Sequence, residues 1–200
     1  MRYLLMTLLA WLSLSVHAAQ WIEGEHYVVL DKAQQTPVKG QEVKELFFYG
    51  CGHCYEFEPY IKRWKKSKPE NVSFVRQPAL FNDKWAWGAQ VFYTAQALNM
   101  EDKIHDAIFN AMFGTGKKIT SVEDIKNIFI AQGATAEDFN KHFQSFAVGN
   151  QVRQALKLTR QYAIDGVPAL IINGQYRTSS SMAGGKDEAL KVIDYLLSKP

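Results

Sequence analysis

The stretch Val43-Lys44-Glu45-Leu46-Phe47-Phe48-Tyr49-Gly50-Cys51-Gly52-His53-Cys54 decides the fold. Its first seven residues make an apolar, aromatic-rich run of the kind that forms a buried β-strand, and Gly50 stops it. From Cys51 to about Lys66 the pattern changes. Cys54, Phe57, Ile61 and Trp64 recur at helical spacing, with Pro59 expected to kink the helix. Two cysteines therefore straddle the start of a helix that directly follows a strand.

Upstream, Tyr27 to Leu30 reads as a short strand and Asp31 to Gly40 as a polar loop. Downstream, Pro69 ends the helix and Val72 to Arg76 reads as another strand. From about Asn82 to Ala163 helical periodicity takes over. Trp85 to Leu98 gives one helix, and Ile104, Ile108 and Met112 mark a second. Thr120 with Glu123 is expected as the capping box of a third, which carries Ile125, Ile128 and Phe129 and stops near Gly133. Thr135 and Asp138 open a fourth with Phe139, Phe143 and Phe146, and Gly149 to Ala163 gives a fifth. Strand character returns at Ala169 to Ile172, followed by an Asn173-Gly174 hairpin turn and Tyr176 to Thr178. Ser179 to Gly185 is expected as a loop and Lys186 to Ser198 as a closing helix. The order is β, β, α, β, a block of helices, then β, β, α. This is an α/β chain with a helical insertion in one parent domain, expected over 82–163, with the parent formed by 19–81 and 164–200.

At 200 residues, 47% hydrophobic and 22% charged, the chain can bury a core of its own. A net charge of +3, with the densest basic cluster between Lys62 and Lys68 on a helix face, argues against nucleic acid as a partner. Arg2, the apolar run Tyr3 to Leu14 and Val16-His17-Ala18 together have the layout of a secretory leader, residues 1–18, cleaved after Ala18. The run is shorter than the roughly 20 residues that cross a bilayer.

Export gives the two cysteines, the chain's only ones, a particular meaning. A stabilising disulfide gains most by closing a long loop, and this pair closes almost none. At a strand-to-helix junction, the free N–H groups and dipole of the helix stabilise a thiolate at Cys51. Cys54 lies one turn on, within reach for a disulfide, and His53 adds a titratable donor. An exposed Cys51 is suited to exchange and an inward Cys54 to resolve the mixed disulfide. Zinc, which takes about four ligands, and an inert disulfide remain alternatives. His26, His53, His105 and His142 lack ligand spacing, and His105 and His142 are expected at the surface or core edge. Asp165-Gly166-Val167-Pro168 precedes a strand, where a proline opening an edge strand is the simplest reading.

The order strand, Phe-Phe-Tyr-Gly-Cys-Gly-His-Cys-Tyr-x-Phe-Glu-Pro, helical block, then Gly-Val-Pro-Ala before an Asn-Gly hairpin resembles the bacterial periplasmic thiol:disulfide oxidoreductases of the DsbA family. The resemblance spans about Gln20 to Leu197. It implies a thioredoxin fold with an inserted all-helical domain, a periplasmic location and oxidation of newly exported polypeptides that carry free thiols. Re-oxidation would come from a quinone-linked inner-membrane oxidase of the DsbB type. It implies a monomer and no cofactor. By resemblance, Cys51 is the nucleophile, Cys54 the resolving cysteine and His53 the residue that lowers the nucleophile's pKa. Val167-Pro168 matches a cis-proline pair that presents backbone to substrate. Glu45 matches a buried acid beneath the active site, with proton transfer and a merely satisfied strand carboxylate as the two readings. Arg76 stands where the family often has lysine, as a candidate partner of Glu45, and Glu58 is a weaker charged neighbour.

Gly52 departs from the family, which usually has proline there; Cys-Gly-His-Cys is typical of protein disulfide isomerases. The expectation is a less oxidising couple than in a proline-containing relative. A disulfide isomerase or reductase, or a chaperone-like peptide-binding module with non-catalytic cysteines, remains the alternative.

Overall fold

The computed structural model describes residues 21–116 and 118–199. The leader expected at 1–18 lies outside the described residues. A five-stranded sheet runs in the order β1 (Val28–Val29), β5 (Tyr176–Thr178), β4 (Ala169–Ile172), β2 (Gln41–Phe47), β3 (Val72–Pro78). Strands β2 and β3 pair in parallel and every other pair is antiparallel. The expected strand from Tyr27 to Leu30 is reduced to two residues, while β3 extends two residues beyond Arg76. Pro168 precedes β4, which is an interior strand, so the edge-strand reading of that proline fails.

Strand β2 is buried on both faces, which is why it lacks alternation. Val43, Glu45 and Phe47 point to one face; Glu42, Lys44 and Leu46 point to the other. On the first face, Val43 packs with Phe57, Ile61 and Trp64 of α1 (Gly52–Ser67) and with Ile193 and Leu196 of α8 (Lys186–Leu197). The Trp64 indole N–H donates to Asp194 at 2.8 Å and ties the two helices together. Helix α1 continues through Pro59, whose ring is exposed. On the second face, Leu46 packs with Tyr162 and Ile164 at the end of α6 (Phe146–Gln161). There the buried Lys44 ammonium donates to the Tyr162 hydroxyl at 2.9 Å and pairs with Glu42 at 3.2 Å.

Between β3 and β4 the chain is helical: a 3₁₀ turn (Asp83–Trp85), α2 (Ala86–Ala97), α3 (Glu101–Phe109), a π turn (Asn110–Gly114), α4 (Val122–Ala131), α5 (Ala136–Phe143) and α6. The capping box of α4 is Ser121 with Asp124, one residue later than expected; Glu123 instead pairs with Lys126. Thr135 caps α5 as its spacing implies. Phe146 opens α6 rather than closing α5, because Ser145 caps a new helix there. The Asn173-Gly174 hairpin is as read, with φ of 52° and 64°. A Cβ at Gly174 would stand 2.1 Å from the Gln34 carbonyl oxygen, so only glycine fits. The expected loop at Ser179–Gly185 contains a short helix, α7 (Ser180–Ala183), capped by the Ser179 hydroxyl and ended by left-handed Gly184. Among the described residues no helix is long and apolar enough to cross a membrane.

Candidate active site

Past Phe47 the chain leaves the sheet, and the Cys51 N–H donates back to the Phe48 carbonyl at 3.0 Å. Cys51 is thereby placed as the N-cap of α1, with extended φ and ψ of −98° and 111°. A cysteine here does what serine does at other caps: its sulfur accepts the Cys54 N–H at 3.2 Å. Both thiols are free. Cys51 is half-buried, whereas Cys54 is wholly buried among Phe47, Tyr49, Ile108 and Phe109. The inner cysteine thus lies in the core that the helical insertion shares with the end of β2.

These surroundings push the two thiols apart. The hydrogen bond from the Cys54 thiol, then the backbone N–H groups of Cys54 and His53 and the charge of His53, outweigh burial and push Cys51 down to about 6. Burial, reinforced by the pairing with Cys51, pushes Cys54 far above the ordinary thiol range. One sulfur is an anion near neutral pH and the other holds its proton.

His53 stands in the first turn of α1, beside Cys51, but acts weakly on it. Its side chain is 83% exposed and lies 3.7 Å from Glu56, so most of its field falls in water. Gly52 is the first residue of α1, and a Cβ there would meet only the Phe113 ring, at 3.7 Å. Phe113 rides on the π turn, stacks on Tyr55 at 5.3 Å and forms an exposed apolar rim beside the cysteines.

Across from Cys51, the Val167-Pro168 peptide bond is cis, and the Val167 carbonyl accepts from the Cys51 thiol at 3.4 Å. A groove of about 730 Å³ opens beside this contact, lined by His53, Pro168, Thr178, Ser180, Met182 and Lys186. Helix α7 forms its far wall.

Beneath α1, Glu45 is fully buried, 3.4 Å from the Arg76 Nε. Burial first, then the nearby Glu58 charge, push its carboxyl up to about 8 against the pull of Arg76. Arg76 donates to Glu58 at 3.1 Å and to Asp102 at 3.0 Å. Glu58 is therefore a principal partner in this chain of charges, not a minor one. His105 overturns its sequence expectation: it is wholly buried, with Nε2 2.8 Å from Glu58. The signal was available, since His105 lies between Ile104 and Ile108 and four residues before Phe109, inside the apolar stripe of α3. Among the described residues no three metal-ligating side chains come together.

The profile described as a DSBA-like thioredoxin domain matches residues 84–195. The thiol:disulfide interchange protein DsbA of Pseudomonas syringae pv. tomato is 42% identical over 188 residues, 93% of this chain and 88% of that relative. The crystal structure of Pseudomonas aeruginosa DsbA superposes with a TM-score of 0.83 at 38% identity, covering 88% of this chain and 93% of that one. A complex of a Proteus mirabilis DsbA variant with the non-covalently bound peptide PWATCDS superposes with a TM-score of 0.77 at 29% identity, covering 90% of this chain and 100% of that one.

Proposed function

This chain belongs to the DsbA family, and from that premise we propose how its residues divide the reaction. It is a thiol:disulfide oxidoreductase with Cys51 and Cys54 as its redox pair. In the oxidised protein a substrate thiolate attacks the Cys51 sulfur. The Cys51–Cys54 bond breaks, a mixed disulfide forms at Cys51, and Cys54 leaves with the electron pair and takes up a proton. A second substrate thiolate then attacks the substrate sulfur of the mixed disulfide, and Cys51 departs as a thiolate. Two substrate thiols become one disulfide, and the two electrons remain on the reduced pair.

The observation that carries this direction is the Cys51 sulfur capping α1, with its thiol pushed down to about 6. A stabilised thiolate stabilises the reduced protein, and each unit of depression below ambient pH is worth about 30 mV toward accepting electrons. Glu45 holds its proton at neutral pH, and its ionised form raises the Cys54 thiol, a coupling that supports a role in protonating the departing Cys54 sulfur. His53 and Gly52 shape the thiolate's environment. Val167 and Pro168 border the groove and offer main chain to an extended substrate, a mode of recognition indifferent to side chains.

The substrates in this reading are newly exported polypeptides with free thiols, met in the periplasm by a monomeric enzyme. Residues 1–18 are the leader, 19–81 and 164–200 the thioredoxin-like domain, and 82–163 the inserted helical domain. A quinone-linked inner-membrane oxidase of the DsbB type returns the pair to the disulfide.

The test is complementation of a strain lacking its own thiol oxidase. The natural chain is expected to restore disulfide-dependent phenotypes and Cys51→Ser to fail. Restoration by Cys51→Ser would reduce the chain to a peptide-binding module. In parallel, Cys54→Ala is expected to accumulate mixed disulfides at Cys51.

A further inference from the structure

The catalytic cycle uses the sheet, α1 and the segment around Pro168, yet one buried titratable group of the helical insertion reaches under the same site. His105 of α3 places its Nε2 2.8 Å from Glu58 Oε1, and both side chains are buried. Glu58 lies on α1, one turn beyond Cys54, and also accepts from Arg76 at 3.1 Å. Arg76 directs its two terminal nitrogens to Glu58 and Asp102 and reaches Glu45 only through Nε, at 3.4 Å and without hydrogen-bond geometry. Both Glu45 oxygens lack a hydrogen-bond partner among the described residues. The guanidinium is thus committed mainly to the two carboxylates on its outer side.

We propose that His105 is a positioning residue: by engaging Glu58 it divides Arg76 between Glu58, Asp102 and Glu45, and so governs the proton occupancy of Glu45 beneath the cysteines. The His105 hydrogen bond favours the ionised form of Glu58. An ionised Glu58 does two things to Glu45, both in one direction. It repels a second negative charge and it draws off Arg76, and each keeps the proton on Glu45. Without the imidazole, Glu58 loses a charge-assisted partner and takes up a proton more readily. Arg76 then turns to Glu45, which releases its proton at lower pH.

The other charges facing this chain of contacts are few. Lys62 and Lys65 approach from α1, and their fields favour the ionised forms of Glu58 and of Glu45 and Asp102 respectively. Glu101 and Asp106, on α3 itself, act on Tyr49 and on His105. None of these makes the hydrogen bond to Glu58 that His105 makes.

The coupling is read directly by following the Glu45 carboxyl carbon by NMR against pH in the oxidised protein, where neither cysteine titrates. His105→Leu is expected to lower the Glu45 midpoint by at least half a pH unit, while His105→Gln, which keeps a donor, stays near the natural value. An unchanged or raised midpoint in His105→Leu overturns the inference, as does an equal fall in both variants, which would mark a packing effect.

The consequence for catalysis rests on the reading of Glu45 as proton donor to Cys54, and a second measurement separates the two. If the midpoint falls by about one unit, roughly half of the Glu45 side chains rather than about nine-tenths keep a proton at pH 7. Single-turnover oxidation of a reduced peptide then slows by about the same ratio, and the effect vanishes in a Glu45→Gln background. A midpoint that falls with no change in rate upholds the coupling and removes the proton-donor reading.

Discussion

The Cys51 sulfur and the Val167 carbonyl oxygen face each other at 3.4 Å although 116 positions of sequence separate them. A thiol can donate across that gap. A thiolate cannot, and meets the negative end of a dipole instead. The low pKa of Cys51 therefore arises in spite of Val167, from the N–H groups of the helix it caps and from the Cys54 thiol.

Alkylation of the reduced protein against pH is expected to show a Cys51 midpoint near 6. His53→Ala should raise it only part of the way toward the ordinary thiol value of about 8.5, because the helix N-terminus stays in place. A variant that titrates at the free-thiol value would transfer the whole effect to His53.

The same depressed thiol makes stability depend on pH in one redox state. The folded reduced protein binds fewer protons at Cys51 than the unfolded chain does. The Cys51 contribution to stability therefore rises with pH above about 6 and is lost as pH falls through 6, while the raised Cys54 thiol works the other way only above the unfolded-state thiol value of about 8.5. The disulfide form has no such term. Melting temperatures of both forms at pH 5 and pH 8 should show the reduced form gaining on the oxidised one at the higher pH. A constant difference would contradict the assignment.

At Gly52, proline is expected to fit: the position is the first of α1, a Cβ meets only ordinary contact with Phe113, and a fixed φ suits that turn. By holding the loop in the geometry that solvates the thiolate, Gly52→Pro should lower the Cys51 midpoint and raise the reduction potential, by about 30 mV per unit. Redox titration against glutathione gives the answer, and an unchanged or lower potential would refute it.

On the far face of the sheet, Tyr162→Phe removes the hydroxyl that accepts from the buried Lys44. A loss of about 1–3 kcal/mol is expected, and roughly 2–4 °C in melting temperature per kcal/mol for a chain of this size. Cys51 alkylation should be unmoved, since the cluster lies on the opposite face from Glu45.

Much of this was legible in the sequence, for physical reasons. The shift from an aromatic run to Cys54, Phe57, Ile61 and Trp64 marks a change of period that few structures other than a strand feeding a helix satisfy. The Asn173-Gly174 turn needs two left-handed residues, and that pair supplies them. Less legible was anything set by distant segments. His105 has the polarity of a surface residue, and only Glu58, arriving from α1, gives its imidazole a buried partner. The cap of α4 slid by one residue because Ser121 and Asp124 satisfy the same reciprocal bonds as the pair first expected, and Asp124 accepts from Thr120 as well. The helix within Ser179–Gly185 is too short for periodicity to reveal.

The helical insertion separates the cysteine pair from Pro168 along the chain. A polypeptide emerging N-terminus first displays Cys51 and Cys54 well before the residues that will face them exist. The reactive centre cannot close by local folding; it waits until the insertion has been made and the last strands have paired. An unfinished copy is therefore a chain bearing two bare thiols.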